Sequence, residues 1–89
     1  DELADCLASK NSVETARSER ELTRLLNHFL DVLDRENRMM FVRRYWYSDS
    51  ISDIAARFHM SSNRVAVRLF RTREKLRAYL RKEWYQNEP

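Results

Sequence analysis

The sequence predicts an all-α fold, a four-helix domain that closes on a helix-turn-helix. Three observations carry this reading. The 89-residue chain has no glycine and a single proline, at its last position. Without those residues the tight turns of a β-sandwich or barrel are hard to build. Apolar residues recur at helical spacing almost throughout. Finally, SISDIAARFHMSSNRVAVRLFRTREKLRAYL, from Ser50 to Leu80, reads as a short helix, a three-residue break and a long helix. Arginines occupy one side of that long helix and aliphatics another, as in a helix-turn-helix.

Residues 1–17 lack strong periodicity and read as a linker or lead-in; 18–89 form the folded domain. Leu22, Leu25, Leu26, Phe29, Leu30 and Leu33 make one apolar stripe on the first helix. His28 lies away from it and is expected to be exposed. Asp34 can cap a second helix that carries Met40, Phe41 and Tyr45 inward, with Trp46 a further candidate. The run YWYSDS ends that helix. Ser50 caps a third helix, with Asp53 as its capping-box partner. Ile51, Ile54, Ala55 and Phe58 supply its buried face. Phe58, His59 and Met60 form the turn. Ser61 caps the fourth helix, which the pattern extends to about Tyr85.

Composition narrows the functional classes. The acidic start, residues 1–21, carries three basic against six acidic residues, whereas residues 61–89 carry eight basic against three acidic. A basic final third points to a polyanionic partner. Cys6, the lone cysteine, cannot form an internal disulfide and suits a reducing cytosol. No apolar run reaches the roughly 18 residues that span a bilayer, and no signal-peptide pattern is present. A cytoplasmic protein without a membrane partner is expected. The chain opens on Asp1 rather than Met, which reads as the C-terminal piece of a longer protein.

Catalysis is not expected. A chain without glycine has no phosphate-cradling loop, dinucleotide fingerprint or nucleophile elbow. Cys6, His28 and His59 have no metal-ligand spacing. Asp31 and Asp34 lie at helix ends, where caps explain them. Ser48, Ser50, Ser61 and Ser62 are turn and cap residues before they are nucleophiles. The expectation is no metal, no cofactor and no small-molecule substrate.

The fourth helix carries the binding chemistry. Each residue turns a helix by about 100°. With Arg64 at zero, Arg68, Arg71, Lys75 and Lys82 all fall within about 40° of it. Val65, Leu69, Leu76 and Leu80 form a separate stripe between about 100° and 160°. One flank packs while another presents positive charge. The stripe starts within a turn of the helix-turn-helix break and is richer in Arg than Lys, and the planar guanidinium suits phosphate and base-edge recognition. Only Glu74 among the acids lies between Ser61 and Lys82. Base contact belongs to the N-terminal turns of such a helix, here Ser62, Asn63, Ala66, Val67 and Phe70, with Arg71 just beyond. Asn63 can read adenine; Ala66, Val67 and Phe70 can meet thymine methyls. Packing against a neighbour is the bland alternative for those three. Phosphate contact is expected of Ser61, Arg64, Arg68, Arg73 and Lys75.

Taken together these residues resemble region 4 of the bacterial RNA polymerase sigma factors, of the sigma-70 family and its extracytoplasmic-function type. The resemblance spans roughly Leu22 to Leu80. It rests on Arg38, Phe41, Arg44 and Tyr45; on Ser50, Ile54 and Ala55; and on Ser61, Val65, Arg68, Arg71, Arg73 and Leu76. It implies a three- to four-helix bundle of the winged-helix-like, sigma region 4 type. It also implies recognition of the −35 promoter element in double-stranded DNA, and an apolar cleft for the flap-tip helix of the polymerase β subunit. Arg44 then looks like a phosphate contact, and Phe70 and Arg71 like direct contacts in the groove. His59 stands where the family usually has glycine, so a positive φ is expected there. Ala66 and Val67 stand where basic or polar residues are common.

Two further readings stay open. One is a stand-alone helix-turn-helix regulator or response-regulator output domain. The long basic extension past Leu76 and the Arg44–Tyr45 run favour the sigma factor. The other is a protein-interaction module held by an anti-sigma factor, with Phe29, Phe41, Tyr45 and Trp46 as candidate cleft residues, although core burial suits at least half of them.

Overall fold

A computed structural model describes residues 16–85. Cys6 and most of the lead-in expected over 1–17 lie outside the described residues. Four α-helices follow one another: α1, Ala16–Val32; α2, Arg35–Tyr45; α3, Ile51–Phe58; and α4, Ser62–Leu80. A π-helical turn, Arg81–Tyr85, continues α4, so the helix expected to about Tyr85 widens over its last five residues. Among the described residues there is no strand.

The helix starts are set locally. Asp34 adopts an extended backbone and its side chain accepts from the Asn37 N–H. Ser50 Oγ accepts from Asp53 N at 3.0 Å, and Ser61 Oγ from Arg64 N at 3.1 Å. Each cap satisfies one of the N–H groups that a helix start leaves without a partner.

Two left-handed residues turn a chain that has no glycine. His59 ends α3 at φ 56°, ψ 48°, and Ser48 lies in the connection before α3 at φ 59°. The Met60 N–H then reaches back to the Ala55 carbonyl at 3.0 Å, which covers an otherwise unpaired helix-end oxygen. The connection before α3 is laced to α2: Asp49 N donates to the Arg43 carbonyl and Arg44 Nη1 donates to the Asp49 carbonyl, both at 3.0 Å.

The core has two parts, and α4 belongs to both. Met40, Ile54, Ala55, Val65 and Leu69 bring α2, α3 and the first half of α4 together. Phe29, Leu33, Phe41 and Leu76 join α1 and α2 to its second half. Phe29 and Phe41 meet edge to face, with ring centroids 6.5 Å apart, the arrangement that aromatic quadrupoles favour. Thr72, buried between the two parts, donates its hydroxyl to the Arg68 carbonyl at 3.0 Å. A 19-residue helix is about 28 Å long, which lets one rod span both clusters.

The expected inward set holds for Met40 and Phe41, which are fully buried, and in part for Tyr45. Trp46 departs from it: it is 52 % exposed. It caps the end of α2, where the chain leaves the helix, and its ring lies tilted by 52° against Phe41 with ring centroids 6.4 Å apart. His28 is exposed as expected, yet it stacks on Tyr79 at 6.2 Å and 9°.

Candidate nucleic-acid interface

α4 turns its aliphatic stripe to the core, and the opposite side is open. Val65, Leu69, Thr72 and Leu76 are buried. On the same angular scale the exposed centre lies near −60° to −100°. Asn63 and Val67 occupy it, flanked by Phe70 and Arg71. Phe70 is 53 % exposed and Val67 37 %. Ser62, Asn63 and Arg71 are exposed as well, while Ala66 is half-buried at the edge of the face. Four of the six residues expected to read bases, Asn63, Val67, Phe70 and Arg71, therefore share one open surface, while Ser62 is exposed at the helix start at about 160° and Ala66 is half-buried.

Glu74 lies on that face one turn past Phe70. Its carboxylate pairs loosely with Arg77 Nε at 3.7 Å.

The residues expected to hold phosphates divide into two groups. Arg64 and Lys75 are exposed. The other side chains already have tasks. Ser61 Oγ caps α4. Arg44 secures the connection to α3 through the Asp49 carbonyl. Arg73 donates to Tyr45 Oη at 2.9 Å, and its guanidinium carbon lies 5.8 Å from the centre of the Phe70 ring. At about 180° on the helix Arg73 is on the flank away from Arg64.

Arg68 is the most engaged. Its side chain is 21 % exposed and ion-pairs with Glu36 at 2.7 Å. Its Nε donates to Asn37 Oδ1 at 3.0 Å. Asn37 Nδ2 in turn donates to Asp34 Oδ1 at 2.6 Å. Backbone and side-chain donation from Asn37 hold the Asp34 carboxyl below the usual range, with the Arg68 charge a lesser cause. Helical spacing does not reveal this pair, because Glu36 is 32 residues away and on another helix.

A second surface lies on α2. Arg38, Met39, Val42, Arg43 and Tyr47 line a groove of about 300 Å³. Met39, Trp46 and Tyr47 are exposed, and the Arg43 guanidinium sits 4.9 Å from the centre of the Tyr47 ring. Of the four residues named as cleft candidates, Phe29 and Phe41 are buried in the core, in line with the core burial expected for at least half of them, while Tyr45 is half-buried and Trp46 exposed.

No group of three or more potential metal ligands occurs among the described residues, and none of their helices is long and apolar enough to cross a membrane. Compared with known proteins, the chain matches the family model for sigma-70, region 4, over residues 23–76. No curated protein and no solved structure matches.

Proposed function

On the premise that this chain belongs to the sigma-70 region 4 family, a family of DNA-binding domains and not of enzymes, we propose that it reads the −35 element of bacterial promoters with the amino half of α4. Sigma region 4 domains bind promoter DNA and the RNA polymerase core. The observation that supports this role most is the open face of α4, where Asn63, Val67, Phe70 and Arg71 stand together opposite a buried aliphatic stripe. Ala66 borders it, and Ser62 is exposed at the start of the same helix. A helix fixed along one side by two core clusters can hold base-edge contacts in register.

Phosphate contacts then fall to Arg64 and Lys75 on one flank, and to Arg44, Ser61 and Arg73 around the α3 start and the Tyr45 side. Each neutralised phosphate steepens the dependence of log affinity on log salt by about 0.9. Four cations give a slope of about −3 to −4. Isolated binding is expected to be weak, because a single module buries little DNA surface. Attachment to polymerase supplies the remainder through effective concentration.

The polymerase contact fits the groove on α2. Met39, Val42 and Tyr47 offer an apolar bed of the size of a few side chains, with Arg38 and Arg43 on its rim. The flap-tip helix of the β subunit is the proposed occupant, and an anti-sigma factor would compete for the same place. The cytoplasm is the proposed location, since promoter and polymerase meet there.

Selection of duplexes from a random pool, followed by anisotropy titration at two salt concentrations, tests the DNA reading. A selected site and a slope of about −3 to −4 are expected. A salt-insensitive or sequence-indifferent signal overturns it. A stand-alone regulator would bind DNA and ignore a flap-tip peptide.

A further inference from the structure

We propose that Arg68 is a positioning residue, clamped by Glu36 and Asn37 so that the start of α2 sets the rotation of the DNA-reading helix; this rests on the DNA-binding reading above. Arg68 lies about 40° from Arg64 toward the aliphatic stripe. That offset brings it within reach of α2, whereas Arg64, Arg71 and Lys75 face solvent. The guanidinium makes two directed contacts, Nη2 to Glu36 Oε1 at 2.7 Å and Nε to Asn37 Oδ1 at 3.0 Å.

Asn37 cannot relax without loss on both sides. Its amide oxygen accepts from Arg68 while its amide nitrogen donates to Asp34, the N-cap of α2. The chain Asp34–Asn37–Arg68–Glu36 therefore runs from one helix start to the middle of the other helix. A cation beside a helix N-terminus meets the positive end of the macrodipole. The carboxylates of Asp34 and Glu36 offset this, so the arrangement works only as a set.

Two of the five guanidinium N–H donors of Arg68 are committed to α2 and its side chain is only 21 % exposed, so turning it toward a phosphate would strain both charge-assisted bonds. Arg68 therefore contributes to affinity by holding Asn63, Val67, Phe70 and Arg71 at one angle. A slip of about an ångström along or around the helix separates donors from base edges, since hydrogen bonds weaken steeply outside a narrow range of distance and angle.

The test uses the whole chain and a labelled duplex that the unaltered chain selects. Affinity is measured between about 50 and 200 mM salt for Asn37→Ala, Arg68→Glu, Glu36→Arg and the double swap Glu36→Arg with Arg68→Glu. Asn37→Ala keeps every charge; a loss of about threefold or more in affinity with an unchanged salt slope is expected. Arg68→Glu is expected to weaken binding at least tenfold, and the swap to recover to within about threefold of the unaltered chain. Arg64→Ala, as the comparator, should reduce the slope by about 0.9. In nitrogen-15 spectra the Arg68 Nε–H signal should stay in place on adding DNA while that of Arg71 moves. Melting curves at each step report whether a variant is folded, and Asn37→Ala decides if Arg68→Glu is not. A swap as weak as Arg68→Glu alone, an Arg68 Nε–H signal that moves with DNA, or an Asn37→Ala affinity equal to that of the unaltered chain overturns the clamp. Failure of the unaltered chain to bind any duplex overturns the DNA reading itself.

Discussion

Arg73 donates a 2.9 Å hydrogen bond to Tyr45 Oη across the junction of α4 and α2, and the same guanidinium lies 5.8 Å from the centre of the Phe70 ring. One cation thus links the end of α2 to a residue of the open face. Tyr45→Phe keeps the ring that packs 4.8 Å from Phe41 and removes the hydroxyl that accepts from Arg73. Loss of a single hydrogen bond of this kind costs about 1 kcal/mol. A urea midpoint lowered by that equivalent, with the slope of the transition unchanged, is expected. An unchanged midpoint would mean that the bond adds nothing to the fold.

On the proposed reading, Leu69 holds α4 and Arg71 contacts DNA, and substitutions at the two should separate these roles. Leu69 is 1 % exposed in the cluster that joins α3 to α4. Leu69→Ala should cost about 2–5 kcal/mol, much of the roughly 5–10 kcal/mol available to a small domain, and DNA binding should disappear with the fold. Arg71→Ala touches no core residue. Its melting temperature should match the parent within about 2 °C, while affinity falls about tenfold or more, the value of one good base contact. Circular dichroism melts beside anisotropy titrations check both; equal melting curves for the two variants would contradict the division.

His59 carries the turn that glycine makes elsewhere. At φ 56°, ψ 48° a Cβ is crowded, and β-branching crowds it further. His59→Gly should leave stability unchanged or raise it by up to about 1 kcal/mol. His59→Val should lower it by more than about 1 kcal/mol. Chemical denaturation of the three proteins should place Gly at or above His and Val below both, and a Gly variant clearly below the parent or a Val variant equal to it argues against a left-handed turn.

Local features of this kind were open to sequence reading. Caps act over three residues, so Asp34, Ser50 and Ser61 announce themselves, and the α1 stripe follows from period alone. The paired arginines did not. Arg68 with Glu36 and Arg73 with Tyr45 are joined only because α2 crosses α4, and a crossing depends on how two surfaces pack. Trp46 failed for a related reason. Helical phase placed it near Tyr45, but the chain leaves α2 at that residue and carries the indole outward. Glu74 was visible as the one acid on the long helix, yet its place on the reading face required knowing which side of α4 is buried.

Asp34 gives the fold an acid limit. Donation from Asn37 lowers its folded-state pKa below the unfolded value, so its stabilising effect is complete above about pH 4 and is lost as pH falls through the folded value. Asp34→Ala should melt a few degrees below the parent at pH 7. The gap should narrow as the solution is taken below about pH 4. Melting temperatures of both proteins between neutral and strongly acid pH provide the check, and a gap that widens in acid would reverse the assigned sign.

Val67 and Phe70 make the sequence preference of the open face testable. Both are apolar and exposed, and they flank Asn63 on the side of α4 that faces away from the core. In a major groove the apolar feature available to them is the thymine C5-methyl group. Ala66 is half-buried at the border and adds less. Burying one methyl group is worth about 0.8 kcal/mol, or about fourfold in affinity at 25 °C. Replacing a contacted thymine by uracil removes that methyl group and nothing else. Uracil in the selected site should therefore weaken the parent about fourfold per contacted position, and Val67→Ser should reduce the difference at its own position. Phosphate contacts are the same in both duplexes, so the salt slope should not move. Equal affinity for thymine and uracil at every position would leave Val67 and Phe70 as packing residues, with base choice resting on Asn63 and Arg71.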